Sequence, residues 1–404
     1  MRKLVLAVGV VALAVAGCSS GEPAKEATEE TGTARAGSDL AAEAGSTEVE
    51  GAEPRLVIAD ADSGRIEVLD LAAEDRVHSY DVGSAASLTT INGRYVVATD
   101  GRRATVLDPG SWSIEHGDHS HSYVKDPVEI GQLDGVEPAH VIAGDRKVAV
   151  FFDGTGTADV VDFDSLSKGE STIATSLKSS PQHGIAVPLS DHFVVSTGGT
   201  EEDLPNGLEL RGGNGDTIRA LDGMCPDMHG EAVFSNYFVV ACGDGVLKVD
   251  AAADFTTTKF PYPANADRAW SLEHGSRGSL VAAPTESGVL VLDTKSGEWV
   301  DARTADEAVA SGISSDGKTA LSLQQDGTFR TFDAVTGAEL SSTPVLAGPV
   351  GDNDEPSLVV AGTRAYVSDP AANAVVEIDY RDGGRIARTF DLDYTPGSIG
   401  VVGA

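Results

Sequence analysis

From Leu56 onward the chain alternates short apolar runs with clusters of Gly, Asp and Asn, and no run keeps the 3.6-residue period of a helix. β-Branched residues crowd the runs, so strands are expected throughout. One phrase recurs, an apolar strand closed by an aspartate. It ends at Asp70, Asp108, Asp162, Asp250, Asp293, Asp333 and Asp379, at intervals of 38, 54, 88, 43, 40 and 46 residues. The interval of 88 holds two units, because the repeat around Leu208 to Arg211 has lost its aspartate. A unit of about forty to forty-five residues with four short strands marks a β-propeller blade. The pairs Asp153-Gly154, Asp244-Gly245 and Asp326-Gly327 suit the hairpin turns within blades. An all-β fold of eight blades is expected, with seven as the alternative count. The first blade has three strands of its own, from Leu56 to Val82, and Ser398 to Ala404 reads as the lone strand that closes the ring. The Trp-Asp and Gly-His marks of WD40 blades are absent.

Three segments follow from composition. Residues 1–18 form an export signal: Arg2 and Lys3 lead an apolar stretch from Leu4 to Ala16, too short for a membrane-spanning helix. Small residues precede Cys18 directly, the pattern of a lipobox in a bacterial lipoprotein, with a plain secretory signal as the alternative. Residues 19–52 are Glu, Ala, Gly, Ser and Thr with few large apolar side chains, and read as a disordered acidic tether with a reach of ~30 Å. Residues 53–404 form the propeller, a single domain. The expected location is the outer face of the cell membrane, reached through the lipid anchor alone. A net charge of −34 argues against nucleic acid and against direct contact with anionic lipid, and would attract cations. With Cys18 lipidated, Cys225 and Cys242 remain, and in an exported chain they read as one disulfide, worth ~3 kcal/mol if unstrained. A monomer is expected.

Nine histidines carry the candidate chemistry. His140, His183 and His229 each open the inner strand of a successive blade, so ring symmetry would bring them to one rim of the channel. The 54-residue interval is about twelve longer than its neighbours, and the excess falls in a loop at 113–139 that holds His116, His119 and His121. Read as leaving the outer strand of blade two for the strand at His140, this loop would face the same rim. Three imidazoles suit Zn2+ and leave a fourth position open. Glu231, two residues past His229 on a strand, is the first candidate for a fourth ligand or a partner that orients an imidazole, and Asp118 is a second. Copper is the alternative metal, since histidine sites bind Cu(II) well and Met224 and Met228 flank His229. His78 and His192 read as structural; His274 could line the channel more deeply.

The stretches Pro181 to Pro188, Cys225 to Val233 and His116 to His121 resemble the AztD family of extracytoplasmic zinc metallochaperones. The resemblance runs from about Leu56 to the C-terminus. It implies a zinc-binding β-propeller that passes the ion to the solute-binding protein of a zinc ABC importer. The lipobox departs from the family pattern of a freely soluble periplasmic protein. Two rival readings remain: a metal-dependent propeller hydrolase or lyase, for which Glu231 would be the general base, and a metal-free surface-binding propeller. No catalytic residue is assigned, and an enzyme is not expected.

Overall fold

The computed structural model describes residues 43–115, 119–351 and 354–404. The signal segment, Cys18 and most of the tether lie outside them, as do His116 and Asp118. Among the described residues the strands form eight four-stranded antiparallel sheets and one three-stranded sheet. The only α-helix among them is Phe163–Leu166, so the class is all-β as expected. Sheet 1 is assembled from both ends of the chain: Arg55–Asp60, Arg65–Asp70 and Asp75–Asp81 are joined by Pro396–Val402, which pairs with Arg55–Asp60. Sheets 2 to 8 follow in chain order. Their first strands are Ser87–Ile91, Pro138–Ala143, Ala186–Leu189, Glu231–Val233, Glu273–His274, Ala308–Ile313 and Leu358–Ala361.

Packing explains why these strands read as continuous apolar runs. Successive side chains point to opposite faces, and both faces are covered. Leu56 and Ile58 join Tyr366 and Val375 in a cluster shared by sheets 8 and 1, while Val57 and Ala59 join Val96 and Leu107 in a cluster shared by sheets 1 and 2. Each later pair of consecutive sheets shares such a cluster in turn. The recurring aspartate ends the third strand of every sheet but sheet 4, and in most it accepts from the backbone of the next turn. Asp70 Oδ1 accepts from the backbone N–H of Ala72 and Ala73 at 2.8 Å each, and Asp333 Oδ1 accepts from Val335 and Thr336 at 3.1 and 2.8 Å. In sheet 4 the third strand is Gly207–Gly212, with Asn214 in the turn that follows.

The long interval has a different cause from the expected one. Sheet 2 runs Ser87–Ile91, Tyr95–Thr99, Arg103–Asp108 and Val128–Asp134, so its outer strand comes after the insert. Ser111–Glu115 and Ser120–Val124 form a hairpin between its third and fourth strands. In an antiparallel sheet that connection leaves at the end where the first strand finishes, whereas His140, His183 and His229 sit where first strands begin. The histidine hairpin therefore stands at the opposite end of the inner strands from the three imidazoles, a correction to the sequence expectation. Val128–Asp134 escaped detection because it is a half-exposed outer strand with no clean apolar alternation.

Residues 43–52, read as tether from their composition, are held on this hairpin. Thr47–Val49 pairs with Ser120–Val124 as a third strand. Glu43 reaches Arg94 with both carboxylate oxygens at 2.7 Å. Arg94 also meets Asp108 at 2.7 Å and lies 3.8 Å from the Trp112 ring centroid, and Lys125 pairs with both acids. Arg94 and Asp108 are fully buried, so this network is what offsets their desolvation. Burial opposes the charge on Arg94, but the two acids outweigh it and leave the guanidinium more firmly protonated than an ordinary arginine. Replacing Arg94 with Leu leaves Asp108 buried with Lys125 alone. The expected loss is about 3 kcal/mol in urea unfolding; a loss under about 1 kcal/mol would show that Lys125 suffices.

Candidate metal centre

His140 lies within Pro138–Ala143, while His183 and His229 just precede Ala186–Leu189 and Glu231–Val233. The approach to His229 is heavily fixed. The Cys225–Cys242 disulfide ties its loop to the second strand of sheet 5, as the cysteine count suggested. The N–H of Met228 donates to Pro205 O at 2.9 Å, and that of His229 to Ala241 O at 3.0 Å. Gly230 follows with φ of +76°, and a Cβ there would stand 2.4 Å from the Trp270 carbonyl oxygen. Only glycine lets that carbonyl come so close, and the same carbonyl is a functional group of the site.

The three imidazoles converge. One ring nitrogen from each lies within 4.8 Å of the others. His140 Nε2 and His183 Nε2 are 3.1 Å apart, and the His183 and His229 rings stack at 5.0 Å. Ideal tetrahedral ligation of zinc separates neighbouring nitrogens by about 3.3 Å, so small rotations complete the site. The other nitrogen of each ring is already engaged. His183 Nδ1–H donates to Asp153 Oδ2 at 2.5 Å, His229 Nδ1–H to the Trp270 carbonyl at 2.7 Å, and His140 Nδ1–H to Glu231 Oε1 at 3.4 Å. A carbonyl oxygen and an ionised carboxylate only accept, so the proton of each neutral ring must sit on Nδ1. Three Nε2 lone pairs then face one point with no donor among them. Such an arrangement calls for a cation, and acceptors behind ligating imidazoles are the usual means of setting the tautomer.

Electrostatics follow from the same contacts. Burial opposes charge on His140, but the Glu231 carboxylate outweighs it and raises the imidazole above the usual histidine range. Burial likewise opposes charge on Glu231, yet His140 holds it below the usual carboxylate range. For His229 burial prevails; the Trp270 carbonyl resists it, the neighbouring His140 and His183 add to it, and the imidazole is pushed down. Deeper along the first strand of sheet 6, Glu273 is pushed up to about 7 by burial and by the nearby Glu231 charge.

Glu231 lies behind His140, on the side of the ring away from His183. Asp153 and the Trp270 carbonyl were missed. Asp153 was legible only as a hairpin-turn residue, and a backbone carbonyl leaves no sequence signal. His119 and His121 lie on the opposite hairpin, with Nε2 atoms 3.2 Å apart and His121 Nδ1 at 2.5 Å from Glu48 Oε1. His78 is on the outer strand of sheet 1 beside Tyr80, and His192 packs on Phe255. His274 lines the interior cavity beyond Glu273. Met228 is buried in the core between sheets 4 and 5, and Met224 is exposed.

No family model matches the chain. The zinc chaperone AztD of Citrobacter koseri is 25% identical over 359 residues, which cover 80% of this chain and 81% of that protein. A crystal structure of Citrobacter koseri AztD superposes with a TM-score of 0.80 at 22% identity, covering 87% of this chain and 98% of that one. The structure of apo AztD from the same bacterium gives 0.78 with the same identity and coverage. The likeness to the AztD family read from the sequence is therefore borne out, over four-fifths of the chain in sequence and over more of it in fold.

Proposed function

We propose that this chain is an extracytoplasmic zinc metallochaperone on an eight-bladed β-propeller, which binds Zn2+ as cargo at His140, His183 and His229. The observation that carries the reading is the convergence of three Nε2 lone pairs, each fixed by an acceptor on Nδ1. The eight four-stranded sheets are the blades, and pairing of Pro396–Val402 with Arg55–Asp60 closes the ring. The likeness to a zinc chaperone supports the choice of metal. It also supports a carrier over an enzyme. The two carboxylates that touch the imidazoles, Asp153 and Glu231, are spent as acceptors, so neither is a free base for a metal-bound water.

In this reading His116, His119 and His121 capture the ion weakly, and the triad holds it more tightly. The recipient is the solute-binding protein of a zinc ABC importer, which takes the ion through the unfilled fourth position by ligand exchange. Residues 1–18 direct export and Cys18 carries the lipid anchor. The disulfide suits the oxidising space outside the cytoplasm, and no described helix is long and apolar enough to cross a membrane.

Joint replacement of His183 and His229 with Ala should weaken zinc binding by at least about 100-fold, measured by competition with a chromophoric chelator. Unchanged affinity would end the reading. Asp153→Asn keeps the shape but weakens the acceptor behind His183, and should cost about ten-fold in affinity with no change in the unfolding midpoint. Zinc and protons compete for Nε2, so affinity falls as pH drops. The raised His140 takes up its proton first, above the ordinary histidine value of ~6.5, while the depressed His229 resists. Glu231→Gln removes the charge that raises His140, so the midpoint of zinc loss in calorimetric titrations should move to lower pH. A midpoint that stays or rises would show that His140 does not govern release.

A further inference from the structure

The N-terminal segment that composition marks as tether supplies a carboxylate to the histidine hairpin. Thr47–Val49 runs antiparallel to Ser120–Val124, with Glu48 opposite Tyr123 and Val49 opposite Ser122. Residues opposite one another share a face of the sheet, and so do residues two apart along a strand. Glu48, Tyr123 and His121 therefore lie on one face, and His119 stands just before the strand begins. The inner part of that face is packed: Tyr123 stacks on Trp112 at 5.5 Å, and Trp112 in turn covers the Arg94 guanidinium.

At the outer part Glu48 Oε1 stands 2.5 Å from His121 Nδ1, and His121 Nε2 stands 3.2 Å from His119 Nε2. An ionised carboxylate only accepts, so the proton of a neutral His121 sits on Nδ1 and its Nε2 lone pair faces His119. Either a proton of His119 or a cation between the rings meets that lone pair. The spacing is close to the ~3.3 Å that tetrahedral zinc sets between two nitrogens. Asp153 aims His183 in the same way within the triad. Here the carboxylate arrives from 73 residues earlier in the chain. Its strand is anchored by backbone pairing and by Glu43 on Arg94 and Lys125. The side chains of His121 and Glu48 are 37% and 56% exposed, so an ion enters and leaves from solvent.

We propose that Glu48 is a positioning residue of the hairpin metal centre. It aims His121 Nε2, together with His119 Nε2, at a divalent cation, and the bound ion thereby fastens the N-terminal strand to the ring. The inference rests on the reading of the hairpin as the weak capture site, and adds to it a residue and a consequence. Two imidazoles leave the remaining positions to water, which keeps binding weak. Coupling of this kind is reciprocal: whatever docked Glu48 adds to the ion's affinity, the ion adds to docking of the strand. Occupancy of the capture site then sets how firmly residues 47–49 are paired.

The test uses full-length protein in which His183→Ala and His229→Ala silence the triad, titrated with Zn2+ in a calorimeter. Hydrogen exchange of the amides of residues 47–49, read by mass spectrometry, reports on the strand. Zinc should slow that exchange about ten-fold. Glu48→Gln in the same protein should weaken the remaining zinc affinity about ten-fold and abolish the slowing. Unchanged affinity in Glu48→Gln would overturn the proposal, and so would zinc binding that leaves exchange at 47–49 as it was. Failure of the capture reading looks different. It appears as the same zinc titration after His119→Ala and His121→Ala are added, and it removes this proposal along with it.

Discussion

Acceptor-only groups behind three imidazoles are the constraint on which the site depends. Each neutral ring has one proton to place, and Asp153, Glu231 and the Trp270 carbonyl claim it at Nδ1. The lone pairs that remain repel one another at 3.1 Å unless something positive lies between them. A proton meets that need in the absence of metal: His140, kept basic by Glu231, can donate from Nε2 to His183. The ring geometry is thereby held ready without an ion, and binding exchanges one cation for another rather than assembling the site afresh. Pre-organisation of this kind lowers the ordering cost on each loading event.

The repeated four-stranded sheets supply the geometry and local departures supply the chemistry. First strands all begin at the same end of their sheets, so a histidine at that place in three successive repeats is brought to one point without any special loop. Holding the rings still needs more. Asp153 reaches His183 from the turn between the second and third strands of sheet 3, and its Oδ1 also accepts from Gly184 N–H at 3.3 Å. The disulfide and Gly230 set the His229 segment against sheet 6, where the Trp270 carbonyl waits. Each imidazole therefore answers to another sheet as well as to its own, His140 to the next sheet but one, and the site reports on how the sheets pack.

Much of this was legible in the chain. The aspartate phrase exposes the period because in most repeats its side chain does a local job, accepting from backbone N–H groups in the following turn. The disulfide and the three rim histidines could be read from count and position. What failed was placement of the insert. An outer strand exposed along one face has no apolar alternation, so Val128–Asp134 passed for loop and the histidine hairpin was assigned to the wrong end. Residues 43–52 failed for a related reason: their order comes from Glu43 meeting a buried Arg94 and from backbone pairing of Thr47–Val49, neither of which shows in hydropathy. Asp153 and Trp270 were invisible as partners because contacts between blades join residues far apart in sequence.

Three neutral imidazoles without a thiolate or a directly bound carboxylate keep the charge of the ligand set low, which leaves part of the attraction to zinc unspent. The carboxylates sit one atom layer back, where they increase ligand basicity without adding bonds that must later break. All three imidazoles are half-buried, so a partner's donor atom can approach the fourth position. Burial that lowers His229 and a carboxylate that raises His140 pull in opposite directions. One ligand is easily freed by a proton and another stays neutral and bound. Under the proposed transfer, that asymmetry would give stepwise exchange an order, in which His140 lets go first and His229 last.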